Sequence, residues 1–62
     1  MTFTFCVSQP AGTAFKRPDH VNYYVIMPHT NDLREVDKLT GTPRLPRITS
    51  IDILLTDWEI IA

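Results

Sequence analysis

The chain holds one cysteine, two glycines and almost no net charge, and each shortage closes off a class of protein. A lone Cys6 forbids an intrachain disulfide, the usual brace of very small secreted domains. Cys6, His20 and His29 fall into no paired ligand spacing, so a structural metal centre is not expected and no cofactor is implied. Gly12 and Gly41 are too few for a phosphate-cradling glycine loop. A net charge of −1 argues against binding nucleic-acid polymers, which takes a clearly basic face. No apolar run approaches the ~20 residues that span a bilayer, so no membrane association is expected. The opening MTFTFCVSQ has no basic residue ahead of an apolar stretch, and with its unpaired thiol the chain reads as cytoplasmic.

What is present is ordinary for a globular protein, with 44% hydrophobic and 21% charged residues. The 62 residues make a single domain, 1–62. A chain of this size removes only roughly 60% of its unfolded surface from water, and small domains commonly find the missing stability in a partner. A homo-oligomer, dimer or tetramer, is the expectation.

Prolines at positions 10, 18, 28, 43 and 46 cut the chain into short pieces. Thr2 to Ser8 alternates, with Phe3, Phe5 and Val7 on one side, which predicts a strand with one buried face. Gln9 to Gly12 reads as a turn, Thr13 to Arg17 as a short extended piece, and Pro18-Asp19-His20 as another turn. Val21 to Met27, dense in aromatic and β-branched residues, predicts a central strand closed off by Pro28.

Asn31 to Leu39 admits two readings. Asp32 and Glu35 have capping-box spacing and Leu33, Val36 and Leu39 share a helical face, which favours a helix. Thr40-Gly41-Thr42-Pro43 resembles a hairpin tip, which would instead make Leu33 to Lys38 a polar edge strand. Further on, Thr49 predicts an N-cap with Asp52 at the start of a short helix, and Ile51, Leu54 and Leu55 are expected to face the core. Alternation then returns over Asp57 to Ile61, with Trp58 and Ile60 on one face. The fold class is α+β, a small antiparallel β-sheet with one or two short helices.

The run Thr49-Ser50-Ile51-Asp52-Ile53-Leu54-Leu55-Thr56-Asp57-Trp58-Glu59-Ile60 resembles the segment W-x-P-S-x-x-D-L-L-A-x-D-W-E-V of a family of small phage anti-defence proteins. That family includes the second Thoeris anti-defence protein. Thr stands where the family has Ser, Ile-Leu where it has paired leucines, and Asp-Trp-Glu-Ile where it has Asp-Trp-Glu-Val. Upstream, Met1-Thr2-Phe3, Gly12, Arg17 and Tyr24-Val25-Ile26 follow the family's order, with His20 near the place of a family Trp. The family's N-terminal helix would fall over Thr4 to Gln9, where this sequence alternates and carries Pro10. Pro46-Arg47-Ile48 takes the place of its Trp-x-Pro. The resemblance implies a non-enzymatic sponge in the host cytoplasm that sequesters a cyclic nucleotide immune signal. The signal would be a cyclic dinucleotide such as cGAMP, as for anti-CBASS sponges, or of the cyclic ADP-ribose type, as for anti-Thoeris proteins.

Each candidate ligand-binding residue has a plainer role beside the functional one. Arg44 and Arg47 flank Pro46 and would form an anion site with the free N–H groups of the capped turn, or stand as solvated loop arginines. Arg17, held extended by Pro18, is a third cation of the same kind. Thr49 and Asp52 sit at the mouth of the turn. Asp52 either complements the helix start or accepts hydrogen bonds from a base edge or ribose, the second role resting on the resemblance. Tyr23 and Tyr24 face opposite ways, so one of them can stack on a base; the resemblance selects Tyr24. His20 could stack or donate to a phosphate, or simply face solvent, and Trp58 reads as core.

Catalysis finds little footing. No orienting residue accompanies Cys6 with His20 or His29. A chain this short has little interior for a nucleotide, since ligand pockets commonly run to several hundred cubic ångströms, so pockets shared between subunits are expected. The rival functions are a protein-interaction module that adds its Tyr-rich strand to a host target, and a structural phage accessory protein.

Overall fold

Seven elements, none longer than five residues, make up the computed structural model, which describes residues 1–61. In chain order they are α1 (Phe3–Val7), β1 (Ala14–Lys16), β2 (Tyr23–Ile26), β3 (Leu33–Val36), β4 (Pro43–Arg44), α2 (Ser50–Leu54) and β5 (Glu59–Ile60). The strands form one antiparallel sheet in the order β4-β3-β2-β1-β5. The α+β class holds, and the Tyr-rich strand β2 is central, as its composition predicts.

The N-terminal segment is a helix, not the expected strand. Thr2 caps it by accepting a hydrogen bond from the Phe5 amide at 3.0 Å. A period-two reading of Thr2 to Ser8 overlooked a helical one: Phe3, Cys6 and Val7 share a helical face and meet the core, while Phe5 is left 48% exposed.

The favoured helix over Asn31 to Leu39 is also corrected, because Leu33–Val36 is strand β3. Two loops of the same design hold it. Asn31 donates to the Met27 carbonyl at 2.9 Å and Gly41 to the Asp37 carbonyl at 2.8 Å, and the next residue's carbonyl closes each loop. Both Asn31 (φ 58°) and Gly41 (φ 72°) take the left-handed conformation that asparagine and glycine tolerate best. Nor is β3 an edge strand, since the two-residue β4 pairs along its outer side.

The C-terminal turn forms as expected. Thr49 and Asp52 exchange both hydrogen bonds of a capping box, Asp52 N–H to Thr49 Oγ1 at 3.2 Å and Thr49 N–H to Asp52 Oδ2 at 3.1 Å. The apolar residues behind that cap do not face the core, however. Ile51 is 68% and Leu54 79% exposed, and Leu55 lies outside as well. The residue α2 buries is Asp52, because the helix is a single turn and the side of it turned inward is the cap itself.

Trp58 is the centre of the core. It is 1% exposed and packs edge-on against Phe15 and Tyr24, each 5.8 Å away, with Phe3 at 5.2 Å. Its indole N–H donates to the Asp52 carbonyl at 2.8 Å, which ties the sheet to α2. Cys6 completes the buried cluster, and burial pushes its thiol pKa up. Among the described residues no helix is long and apolar enough to cross a membrane.

Candidate functional site

The sheet register builds the site. Residues directly opposite one another in antiparallel strands point to the same face. Ile60, Phe15, Tyr24, Glu35 and Arg44 are paired in turn and form one row across the sheet. The row begins apolar and ends charged. Its midpoint, between buried Tyr24 and buried Glu35, is the floor of a cleft of about 360 Å³. Asp19, His20 and Val21 from the β1–β2 turn form one wall, Asn22 the next, and Arg47 the far side.

Glu35 is 3% exposed, and its charge is met in full. Oε1 accepts from the Arg47 amide at 3.2 Å and from Arg47 Nε at 3.3 Å. Oε2 accepts from Arg47 Nη2 and from Asn22 Nδ2, both at 2.8 Å. Hydrogen bonding by Arg47, above all, holds the Glu35 pKa down at about 2 despite burial. The Arg47 guanidinium is otherwise 70% exposed and reaches along the cleft mouth. Asn22 is fixed from its other end by the Lys38 amide, 3.2 Å from its carbonyl oxygen.

A second polar cluster lies behind His20. Asp52 accepts from Arg17 Nη1 at 2.7 Å, while Arg17 also grips Asp57 through Nε at 2.7 Å and Nη2 at 3.2 Å. The hydrogen bond from the Thr49 amide is the main cause holding the Asp52 pKa down at about 2. Asp57 raises the Arg17 pKa further by hydrogen bonding, so that charge is permanent. His20 joins the two clusters. Its Nε2 lies 3.4 Å from Asp52 Oδ1, its ring meets Tyr24 and Trp58 edge-on, and it lines the cleft. Its Nδ1 is buried without a hydrogen-bond partner among the described residues.

The seven residues expected from the sequence are therefore divided. His20, Tyr24 and Arg47 meet at the cleft. Arg17, Thr49 and Asp52 form a network of their own, in which the carboxylate is occupied by Thr49 and Arg17. Arg44 pairs with Asp37 at 2.8 Å and lies 3.8 Å from Glu35 through its Nε. Thus Arg44 and Arg47 do not converge on the N–H groups of the capped turn. Each turns to a carboxylate of the sheet or its hairpin loop: Arg47 to the buried Glu35, whose charge would be costly left unpaired, and Arg44 to Asp37. Tyr24 offers no stacking face, since its ring is 4% exposed within the aromatic core.

Asp19, Val21, Asn22 and Glu35 are the cleft residues that sequence reasoning missed, and Glu35 is the central one. A signal was present: once Leu33–Val36 is a strand, Leu33 and Glu35 share a face, so an acid falls where an apolar residue is due. Among the described residues no three His, Cys, Asp or Glu side chains group so as to hold a metal ion. No family model, no curated protein and no solved structure matches this chain.

Proposed function

We propose that the protein is a phage anti-defence sponge that binds a cyclic nucleotide immune signal and holds it without turning it over. The observation that carries this reading is the cleft, lined by Tyr24, in which an outward-reaching Arg47 and the Asn22 amide meet on Glu35. Its volume of about 360 Å³ lies at the lower end of the range for small-molecule sites, enough to seat part of a nucleotide. A cyclic dinucleotide would then draw on clefts from two copies of the chain, which fits the expected homo-oligomer in the host cytoplasm. The thiol of Cys6 is sealed in the core, away from the cleft, so holding rather than covalent chemistry is the role assigned.

The test is a native-mass measurement of the purified protein with and without a panel of cyclic dinucleotides and cyclic ADP-ribose isomers. Retention of a ligand in fixed stoichiometry, and its recovery intact after heating, is the expected result. A chain that retains none of them has another function.

One observation favours a second reading, a protein-interaction module. Ile51, Ile53 and Leu54 on α2 and Phe5 on α1 are each about half exposed or more, on two helices that touch. The form of this rival in which the Tyr-rich strand adds to a target sheet is not available, since β2 is paired along both edges. Stoichiometric co-purification of a host protein, lost in Leu54→Lys, would favour the helical surface.

A further inference from the structure

The geometry points to Arg47, Asn22 and Tyr24 as a subsite for the acceptor oxygens of a phosphodiester, placing the phosphate of a bound ligand in the cleft and its base outside. This rests on the sequestration reading for the identity of the whole ligand, but it stands on the hydrogen-bond inventory of the cleft alone.

A carboxylate offers about four lone-pair positions, and Glu35 already receives four N–H groups. It has no acceptor left for a ligand. The groups around it have donors to spare. The guanidinium of Arg47 carries N–H groups beyond the two given to Glu35. The Asn22 amide gives one N–H to Glu35 and keeps a second. Tyr24 lines the cleft, and its hydroxyl donates to no described residue. A cleft with surplus donors and a saturated acid selects a ligand rich in acceptors.

Shape disfavours a base that enters first and stacks on the aromatic rings of the cleft. Stacking needs an open ring face, whereas Tyr24 is 4% exposed and the His20 ring is engaged edge-on by Tyr24 and Trp58. Charge narrows the class further. Glu35 faces both Arg47 at 2.8 Å and Arg44 at 3.8 Å, while Asp19 on the rim is met by Arg17 at 3.7 Å. A singly charged diester is therefore accommodated better than a phosphate dianion.

The experiment is an NMR titration of the full 15N-labelled chain, read at the Asn22 side-chain amide and the Arg47 Nε–H. The probes are dimethyl phosphate, 3′,5′-cyclic AMP, inorganic phosphate and adenosine. Dimethyl phosphate and cyclic AMP are expected to shift both signals, inorganic phosphate to bind several-fold more weakly, and adenosine to shift neither. Tyr24→Phe keeps the core ring and should weaken the diesters about fivefold. Arg47→Lys keeps a cation opposite Glu35 and should weaken them about tenfold through loss of the planar fork. Adenosine shifting the same signals, dimethyl phosphate shifting neither, or both variants binding like the parent would overturn the subsite. If dimethyl phosphate binds as described but no cyclic dinucleotide binds more tightly, sequestration fails and the subsite stands. If a cyclic dinucleotide binds tightly and adenosine alone displaces it, the subsite fails and sequestration stands.

Discussion

Two buried or half-buried carboxylates, Glu35 and Asp52, tie this small protein's stability to pH. Each is stabilised as an anion, by Arg47 in one case and by the Thr49 amide in the other, with pKa values of about 2 against ordinary values of 4.5 and 3.8. As pH falls the unfolded chain binds protons before the folded one does. Their contribution is therefore complete above about pH 5 and is lost as pH falls towards 2. Thermal midpoints measured from pH 7 to pH 2 should be flat down to about 5 and then fall steeply. Glu35→Gln should flatten part of that descent, at the cost of a lower midpoint at pH 7. A profile that is level down to pH 3 would contradict these assignments.

Single-turn helices depend on their ends, and α2 is the clearest case. It has five residues, so its capping box accounts for much of its hydrogen bonding, and the Trp58 indole hangs on the Asp52 carbonyl within it. Thr49→Ala should cost about 1 kcal/mol in urea unfolding, with the denaturant dependence unchanged. Thr49→Ser should recover most of it. At this scale the sequence was readable where a side chain acts on its own backbone. The Thr49–Asp52 cap, the β2 strand and the turn at Pro18 follow from local chemistry. It was unreadable where two periods fit the same few residues. Phe3, Phe5 and Val7 satisfy alternation while Phe3, Cys6 and Val7 satisfy helical spacing, and only contact with Trp58 and Phe15 selects the helix.

Across the whole molecule, apolar surface is left over. The buried core is small, while Ile51, Leu54, Leu45 and Val21 are each more than two-thirds exposed. A chain that folds with this much apolar area in water gains by association, which supports the proposed homo-oligomer. Sedimentation equilibrium at micromolar concentration should give a mass above that of one 7.1 kDa chain. Leu54→Lys should raise the dissociation constant at least tenfold while altering the unfolding of the monomer by no more than ~0.5 kcal/mol, since the side chain is outside the core. A parent protein that sediments as a monomer would remove self-association from the account.

Local chemistry along the chain was enough to set the class of the molecule, its central strand, the capped turn and the burial of Trp58. Each depends on residues near one another in the chain, or on a side chain too large and apolar to leave in water. The placement of the charges came from long-range packing. Arg17, Arg44 and Arg47 could each have faced a ligand, and the fold sets each against a carboxylate 35, 7 and 12 residues away in the chain. Pairing across the sheet puts Glu35 beside Tyr24, and that long-range register, invisible in any local pattern, makes the cleft.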